Sequence, residues 1–437
     1  MQAWIRVAPA MSDISLSRPA RGPHAGAGPH AGALATDRFT FLLAAVAVFL
    51  SPYNVLRHPS IYFTAADAVT LLTFLILMVG RRLPLAPFGR LTPLWYAGFL
   101  AIAVGMVIGG IVNQRLLDGA DVIAQYAYAM IILPWVLSGR DFAQTQRLLL
   151  VWTVSMVIVL LHGIYLMEIA SDPPRNMVSG SGRLAGLVER ENALAALAAL
   201  AIVATMYLSA ERVLSGVMTL LFLGVLLFGI VLTASNTGLL ALASGGMAFT
   251  ALQRSTRHFV IVAVLCVLAV VALQIGGDQI LPASFMKRVA GALSSGDLAQ
   301  AGTFDDRMEL AREGWQASED HVLIGLGANG FRLTSVLGAP VHNTYILLLV
   351  EGGVLSLSGL CVIIGMIFLQ GAALLLSTRT RNLGAMVVAV AVLFAVVLNA
   401  FAHIYGRFWI VPLVLVMALA SCEAQPHRKV RGVVRTG

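Results

Sequence analysis

The sequence predicts an all-α, polytopic membrane protein with about twelve transmembrane helices and one large loop outside the membrane. Only 11% of its 437 residues are charged and 59% are hydrophobic, whereas a soluble domain carries about 25% charged residues. Apolar stretches of about 17–25 residues, the length that crosses a bilayer as a helix, recur along the chain. Basic residues are concentrated in alternate connections between these stretches, as expected when every second connection lies on the cytoplasmic side.

Residues 1–37 precede the first apolar stretch, and their composition predicts a disordered cytoplasmic tail. They are rich in proline, glycine, alanine, serine and histidine, a composition that cannot bury a hydrophobic core. They also lack the apolar core and the small-residue cleavage site of a signal peptide. We therefore expect the first helix to begin near residue 38.

Twelve apolar stretches follow, and the tenth is too long for one straight span. It contains Glu351-Gly352-Gly353, so we expect a short helix on the outer side, a break at the glycines and then the true span. The predicted organisation is nine spans over 38–276, a large outside loop over 277–341, three spans over 342–422 and a basic tail over 423–437. The apolar stretches lie at 39–56, 61–79, 92–113, 119–138, 147–169, 191–209, 213–234, 237–252, 258–276, 344–375, 383–402 and 407–422.

The distribution of positive charge predicts that both termini are inside. Each inside connection contains arginine, and the C-terminal tail is basic as well. The outside connections near 57–60, 114–118, 235–236 and 403–407 are short and carry little charge. The concentration of basic residues in the inside connections thus accounts for the net charge of +8. Because the basic residues interleave with no aromatic motif, we expect no nucleic-acid partner. The inside arginines are Arg81, Arg82, Arg90, Arg140, Arg147, Arg212, Arg254, Arg257, Arg379 and Arg381.

The cysteines and glycines argue against several kinds of site. The three cysteines form no C-x-x-C pair, so neither a disulfide framework nor a thiolate metal site is indicated. Gly325, Gly327 and Gly330 have G-x-G-x-x-G spacing, but no predicted strand precedes them, so we interpret them as a turn that shapes the outside loop. The sequence contains no Walker A, H-E-x-x-H or G-x-S-x-G pattern. ATP-driven transport and the standard protease chemistries therefore lose support, and we expect neither a metal nor a cofactor.

The end of the large loop contains the most informative polar residues. His342, Asn343 and Tyr345 stand where the loop meets the tenth apolar stretch, and polar groups at a membrane surface are costly and usually functional. The simpler alternative is that His342 and Asn343 only cap a helix at the headgroup level. A histidine can also take a proton from a hydroxyl near neutral pH, which makes His342 the candidate base.

Outside-facing arginines are the second part of the candidate site. Arg183 follows a glycine-serine-glycine turn, and Arg288 and Arg307 lie in the large loop. Guanidinium groups bind phosphate oxygens bidentately and stay charged at physiological pH. Together with a histidine, they suit an enzyme that holds a lipid pyrophosphate and activates an acceptor hydroxyl. The alternative for each arginine is that it snorkels or binds a lipid headgroup.

These residues resemble the signature region of a known family, the O-antigen ligases and polymerases of the bacterial envelope. The resemblance covers about residues 180–360 by motif and most of the chain by its twelve spans and single large loop. The matching segments are Gly182-Arg183-Leu184-Ala185-Gly186 with Asn192-Ala193, then Arg307, Trp315, Gly325-Leu326-Gly327 and Phe331, then His342-Asn343-Thr344-Tyr345, Leu349 and Glu351-Gly352-Gly353.

The resemblance implies a GT-C-like membrane fold and a metal-independent glycosyl transfer at the periplasmic face of the bacterial inner membrane. The donor would be a glycan on undecaprenyl pyrophosphate. His342 would be the catalytic base, and Arg183, Arg288 and Arg307 would bind the pyrophosphate, with Asn343 and Tyr345 as further substrate-binding residues. One departure concerns the family's Ser-Arg after the seventh span, which is Ser235-Asn236 here. The role of that arginine is lost or is supplied elsewhere, for example by Arg407.

Three classes of function stay open at this point. A ligase would use lipid A–core as the acceptor and a polymerase a second lipid-linked repeat unit; the single dominant loop favours the ligase. A flippase or secondary transporter would need ionisable residues at mid-membrane, but Asp67, Asp121 and Glu168 can each reach a span end, and no internal repeat is apparent. A structural or assembly subunit would need no histidine–arginine group. The sugar, the acceptor and the oligomeric state cannot be read from the sequence.

Overall fold

The computed structural model describes residues 29–58, 63–254, 260, 281–291 and 304–424. Residues 1–39 and 40–437 form separate units, and every residue of the candidate site described below belongs to the second. The described residues are helical apart from connections and two isolated β-bridges, Arg57–Thr64 and Val178–Leu184. The all-helical class predicted from the sequence is therefore confirmed for this part of the chain. The predicted N-terminal tail and basic C-terminal tail lie largely outside it.

A helix occupies each predicted apolar stretch that lies within the described residues; the ninth stretch, 258–276, is outside them. Among the described residues, six helical segments are long and apolar enough to cross a membrane: Gly89–Val112, Leu116–Leu137, Phe142–Glu168, Glu191–Ala210, Gly216–Thr233 and Thr344–Leu375. A count of twelve spans stays a prediction. The helices are α1 (Pro29–Leu50), α2 (Ala65–Val79), α3 (Thr92–Val112), α4 (Ala120–Ala127), α5 (Leu133–Leu137), α6 (Phe142–Glu168), α7 (Glu191–Ala210), α8 (Gly216–Thr233), α9 (Asn236–Gln253), α10 (Ala283–Phe285), α11 (Phe304–Asp320), α12 (Gly330–Thr334), α13 (Thr344–Leu375), α14 (Arg381–Val397) and α15 (Arg407–Ala424).

The long helix α13 is interrupted as the sequence predicts. Gly353 has φ 66° and ψ −169°, outside the helical region, and a positive φ is readily adopted only by glycine. The added Cβ of any other residue at this position would also lie 2.6 Å from the backbone oxygen of Leu323. The break therefore accommodates a loop segment that packs directly against the helix.

The same loop continues into the glycine turn at residues 325–330, which lies between α3 and α13. A Cβ on Gly325 would lie 2.2 Å from the carbonyl carbon of Glu351. The backbone N–H groups of Leu326 and Gly327 donate to the carbonyls of Val350 and Glu351, at 2.9 and 2.8 Å. Because glycine lets two backbones approach this closely, the turn joins the outside loop to the helix break. These glycines have a packing role, as the sequence interpretation proposed.

The connections predicted to be outside meet at one end of the helices, and the predicted inside connections meet at the other. Hydrogen bonds and ion pairs join the connections within each group, although these connections are far apart in sequence. This alternation agrees with the predicted topology, although which end faces the cytoplasm stays a prediction. At the first end the pairs are Arg57–Glu189, Asn113–Gly325 and Asn343–Asn399, and at the second Asn382–Glu211 and Arg379–Glu423.

Candidate active site

A small apolar cluster at the first end supports the candidate site, and we call it the loop core. It consists of Leu310, Leu326, Phe331, Val341, Leu347 and Val350, with Ala402 packed against it. Three of these residues are followed in sequence by a polar residue of interest, namely Arg332, His342 and His403. Arg307 stands three residues before Leu310 on α11. One packing unit therefore brings together side chains from three separate segments.

His342 has a defined tautomer in this arrangement. Its Nδ1 lies 3.1 Å from the carbonyl oxygen of Pro340, and because a carbonyl can only accept, Nδ1 carries the proton and Nε2 is the acceptor. Burial lowers the pKa of His342 below 6.5, and the charges of Arg307 and Arg190 lower it further, against the opposing effect of the Pro340 carbonyl. The imidazole is therefore neutral near pH 7, as a general base requires.

Arg183 is buried, with 7% of its surface exposed, and its guanidinium is oriented by three groups. Nε donates to the carbonyl of Thr233 and Nη2 to the amide oxygen of Asn192, each at 2.9 Å. Nη1 makes a longer contact of 3.8 Å with Glu191. Burial lowers the pKa of Arg183 to about 10, against the raising effect of Glu191, with Arg288 and Arg307 lowering it further. The side chain is still charged at pH 7 and is held rigidly, with Nη1 the least constrained nitrogen.

Arg288 is brought to Arg183 by the docking of its segment. The hydroxyl of Ser284 donates to the carbonyl of Gly182 at 3.0 Å, and Phe285 and Val289 pack on Ala234. Gly182 and Ala234 lie outside the large loop, in the connection before α7 and just after the end of α8. The contacts therefore fix the segment of Arg288 against these two places. The structure therefore places two arginines that are far apart in sequence on one surface.

Arg307 belongs to the same group of charges. Burial lowers its pKa, and the charge of Arg288 lowers it further, while Glu191 opposes the shift. The electrostatic influence of Arg288 extends to Arg183 as well. Arg183, Arg288 and Arg307 are thus mutually repelling neighbours, and Arg307 also acts on His342. Such a group is a favourable site for a multiply charged anion.

Asn343 and Tyr345 make contacts that organise the protein. The Asn343 amide oxygen accepts from the N–H groups of Tyr345 and Ile346, at 3.0 and 3.2 Å, and so caps α13. Its amide nitrogen lies 3.4 Å from Asn399. The Tyr345 hydroxyl donates to the carbonyl of Ala395 at 2.8 Å. Asn343 therefore caps a helix, as the simpler alternative for this segment proposed. A substrate-binding role for Asn343 or Tyr345 stays a prediction.

Arg407, the suggested substitute for the missing family arginine, lies in a separate polar cluster. Its Nε donates to buried Asp67 at 3.0 Å, and Nη1 donates to Gln125 at 3.1 Å. Asn236 itself donates from its side-chain amide to the carbonyl of Arg288 at 3.3 Å. The residue at the departing position therefore contacts the backbone of a candidate pyrophosphate ligand.

Sequence reasoning missed Arg190, Arg332 and His403. Burial lowers the pKa of His403 to about 4, and the charges of Arg190, of His342 in its protonated form and of Arg332 add to the effect. The Nδ1 of His403 is buried and has no hydrogen-bonding partner among the described residues. The sequence did contain a signal for His403, because it is a histidine at the edge of an apolar stretch. The same feature identified His342. Among the described residues, no three histidine, cysteine or carboxylate side chains lie together as a metal site would require.

Residues 220–361 match the family model described as O-antigen ligase. The match agrees with the family resemblance of the sequence over these residues. The match covers about a third of the chain and includes Arg288, Arg307 and His342, whereas Arg183 and His403 lie outside it. No curated protein matches the chain.

Proposed function

We propose that the protein transfers a glycan from undecaprenyl pyrophosphate to an acceptor hydroxyl, with His342 as the base and Arg183, Arg288 and Arg307 as ligands of the pyrophosphate. The observation that carries the proposal is the position of a neutral histidine near Arg307, which is one of three clustered arginines. The match to O-antigen ligases over 220–361 supports the reaction class.

The chemistry needs each of these groups. The Nε2 of His342 accepts the proton of the acceptor hydroxyl while that oxygen attacks the anomeric carbon of the donor glycan. The bond between the anomeric carbon and the phosphate oxygen breaks, and undecaprenyl pyrophosphate leaves with the electron pair. The arginines neutralise the charge that develops on the leaving group, so no acid is needed to protonate it. Because a bound pyrophosphate also offsets the charge of Arg307, donor binding makes His342 more basic.

The proposed setting is the periplasmic face of the bacterial inner membrane, with twelve spans, both termini in the cytoplasm and the 277–341 loop in the periplasm. The basic connections at the opposite end of the helices support this orientation. Reporter fusions at Gly302 and Gly437 should give opposite signals. Equal signals would contradict the topology and, with it, the location of the site.

Ligation of O-antigen to lipid A–core is the first choice of acceptor chemistry, because one large outside loop dominates the chain. Polymerisation onto a second lipid-linked repeat unit is the alternative. A flippase or transporter is the alternative of another class, and the buried Asp67–Arg407 ion pair is the feature it could use. However, Asp67 lies in the first turn of α2 and Arg407 begins α15, and the pair holds these helix ends together.

The central test is transfer by the purified full-length chain with His342→Ala. Loss of a general base costs about 10²–10⁴-fold in rate, whereas donor binding should survive because the arginines carry the charge. His321→Ala is the matched control, since His321 lies in the same loop and its Nδ1 also contacts a backbone carbonyl, that of Ala317, at 2.8 Å. Transfer by His342→Ala at the control rate would refute the mechanism. Complete loss of wild-type activity in chelator would refute its metal independence.

A further inference from the structure

The basic residues around His342 fall into two sets. The donor set is Arg183, Arg288 and Arg307, whose charges act on one another. The acceptor set, as we call it, is Arg190, Arg332 and His403; both arginines act on His403. His342 is influenced by Arg307 from the donor set and by Arg190 from the acceptor set. The histidine is therefore within electrostatic reach of a member of each set.

Packing independently brings the segments of Arg332 and His403 to the segment of His342. Phe331 and Val341 belong to the loop core and Ala402 packs against it, and Arg332, His342 and His403 are the next residues in sequence. The segment before His403 is tied to α13, because Thr344 N–H donates to Leu398 at 2.8 Å and its hydroxyl donates to Phe401 at 2.7 Å. The His403 ring also stacks on Tyr405, with centroids 4.8 Å apart. Its position is therefore fixed.

The acceptor set keeps its binding capacity. Arg190 is exposed at the start of α7, and exposed Arg332 makes one long hydrogen bond, from Nε to the carbonyl of Gly338 at 3.4 Å. The His403 Nδ1 is buried without a partner among the described residues.

The carboxylates beside Arg190 in sequence, and Glu313, which contacts residues shortly after Arg332, are engaged with other groups. Glu189 pairs with Arg57 at 3.2 Å, and Glu191 faces Arg183 at 3.8 Å. The Glu313 carboxylate accepts from Ser335 and from the N–H of Val336, at 2.9 Å each. These contacts leave the charge of the two arginines available to an anion.

Building on the proposed function, we propose that Arg190, Arg332 and His403 form a second anion-binding site, which holds a phosphate group carried by the acceptor. A base that serves glycosyl transfer must lie between the leaving group of the donor and the hydroxyl of the acceptor. The donor set accounts for the first position, and we assign the acceptor set to the second. Two acceptors share this chemistry: a phosphorylated lipid A–core, and the pyrophosphate of a second lipid-linked repeat unit.

A binding experiment tests the second site without requiring turnover. The full-length chain in nanodiscs is titrated calorimetrically with inorganic pyrophosphate, and two sites are expected. Arg332→Gln should remove one site and Arg307→Gln the other. Arg312→Gln, which alters an exposed arginine on α11, should keep both. A single site that survives Arg332→Gln, or two sites that both survive it, would overturn the proposal.

Kinetics then identify the source of the phosphate. With the productive acceptor, Arg332→Gln should raise the acceptor KM by about tenfold or more and leave the donor KM unchanged, as expected for the loss of a hydrogen bond to a charged group. Chemical removal of the acceptor phosphates should impose the same loss on the wild type and no further loss on the variant. Lipid A–core and a lipid-linked repeat unit are compared in separate arms.

Equal use of phosphorylated and dephosphorylated acceptors by the wild type would refute the second site while leaving the proposed function intact. If the wild type glycosylates neither acceptor, the proposed function fails and the two-site titration alone decides the second site.

Discussion

Replacement of Arg183 by lysine separates the geometry of the candidate site from its charge. The guanidinium uses Nε for the carbonyl of Thr233 and Nη2 for Asn192, both at 2.9 Å, which leaves Nη1 for a substrate. A lysine ammonium is a point charge and does not reproduce this fork. A hydrogen bond to a charged group contributes about 1.5–3 kcal/mol, which corresponds to about 10–100-fold in donor affinity. We therefore expect Arg183→Lys to raise the donor KM by at least about tenfold, although the charge is retained.

The assay is transfer by purified protein with a varied concentration of lipid-linked donor, together with direct donor binding. Arg175→Lys is the matched control, because Arg175 is an exposed arginine in the same connection and its replacement should change neither quantity. Thermal unfolding of both variants distinguishes a local defect in binding from a loss of structure. A donor affinity in Arg183→Lys equal to that of the control variant would refute the role of the fork.

Two further predictions follow from the geometry of the loop. Gly325→Ala should destabilise the protein by about 1–3 kcal/mol or more, because the new Cβ meets backbone atoms at 2.2–2.4 Å; thermal unfolding should show Gly224→Ala, with nothing within 4 Å of its Cβ, to be at least as stable as the wild type. Arg307→Gln should move the acidic limb of the kcat/KM–pH profile to higher pH, because a removed positive charge lets the pKa of His342 rise; a limb that stays in place or moves to lower pH contradicts the assignment of His342 as the base.

The helices were predictable because the signals that specify them are local. Hydropathy located the helices of the apolar stretches in the described residues to within a few positions at most ends, and Glu351-Gly352-Gly353 located the break in α13. Helix starts depend on caps that hydropathy does not register. For example, α2 begins only at Ala65, because Thr64 and Asp67 form a capping box. The largest difference is α1, which begins at Pro29 rather than near residue 38.

The candidate site was predictable only in part, because chemistry identifies candidates and packing decides which of them meet. Arg183, Arg288, Arg307 and His342 were recognisable as outside-facing residues suited to a pyrophosphate. Nothing local separates Arg332 from other loop arginines, since its position depends on Phe331 within the loop core. Side-chain partners are equally non-local, and the sequence does not reveal that the Tyr345 hydroxyl donates to Ala395.

The departure at Asn236 shows how the structure can keep a site while one family residue changes. An arginine there would add another cation beside Arg183 and Arg288, whose charges already repel each other. Asparagine is neutral and short, and its amide donates to the backbone carbonyl of Arg288. Ser235, next to it, donates to the same Asn192 oxygen that orients Arg183, at 2.9 Å. The Ser235-Asn236 pair therefore positions one arginine through its side chain and the other through its backbone, so a missing positive charge at residue 236 is compatible with an intact pyrophosphate site.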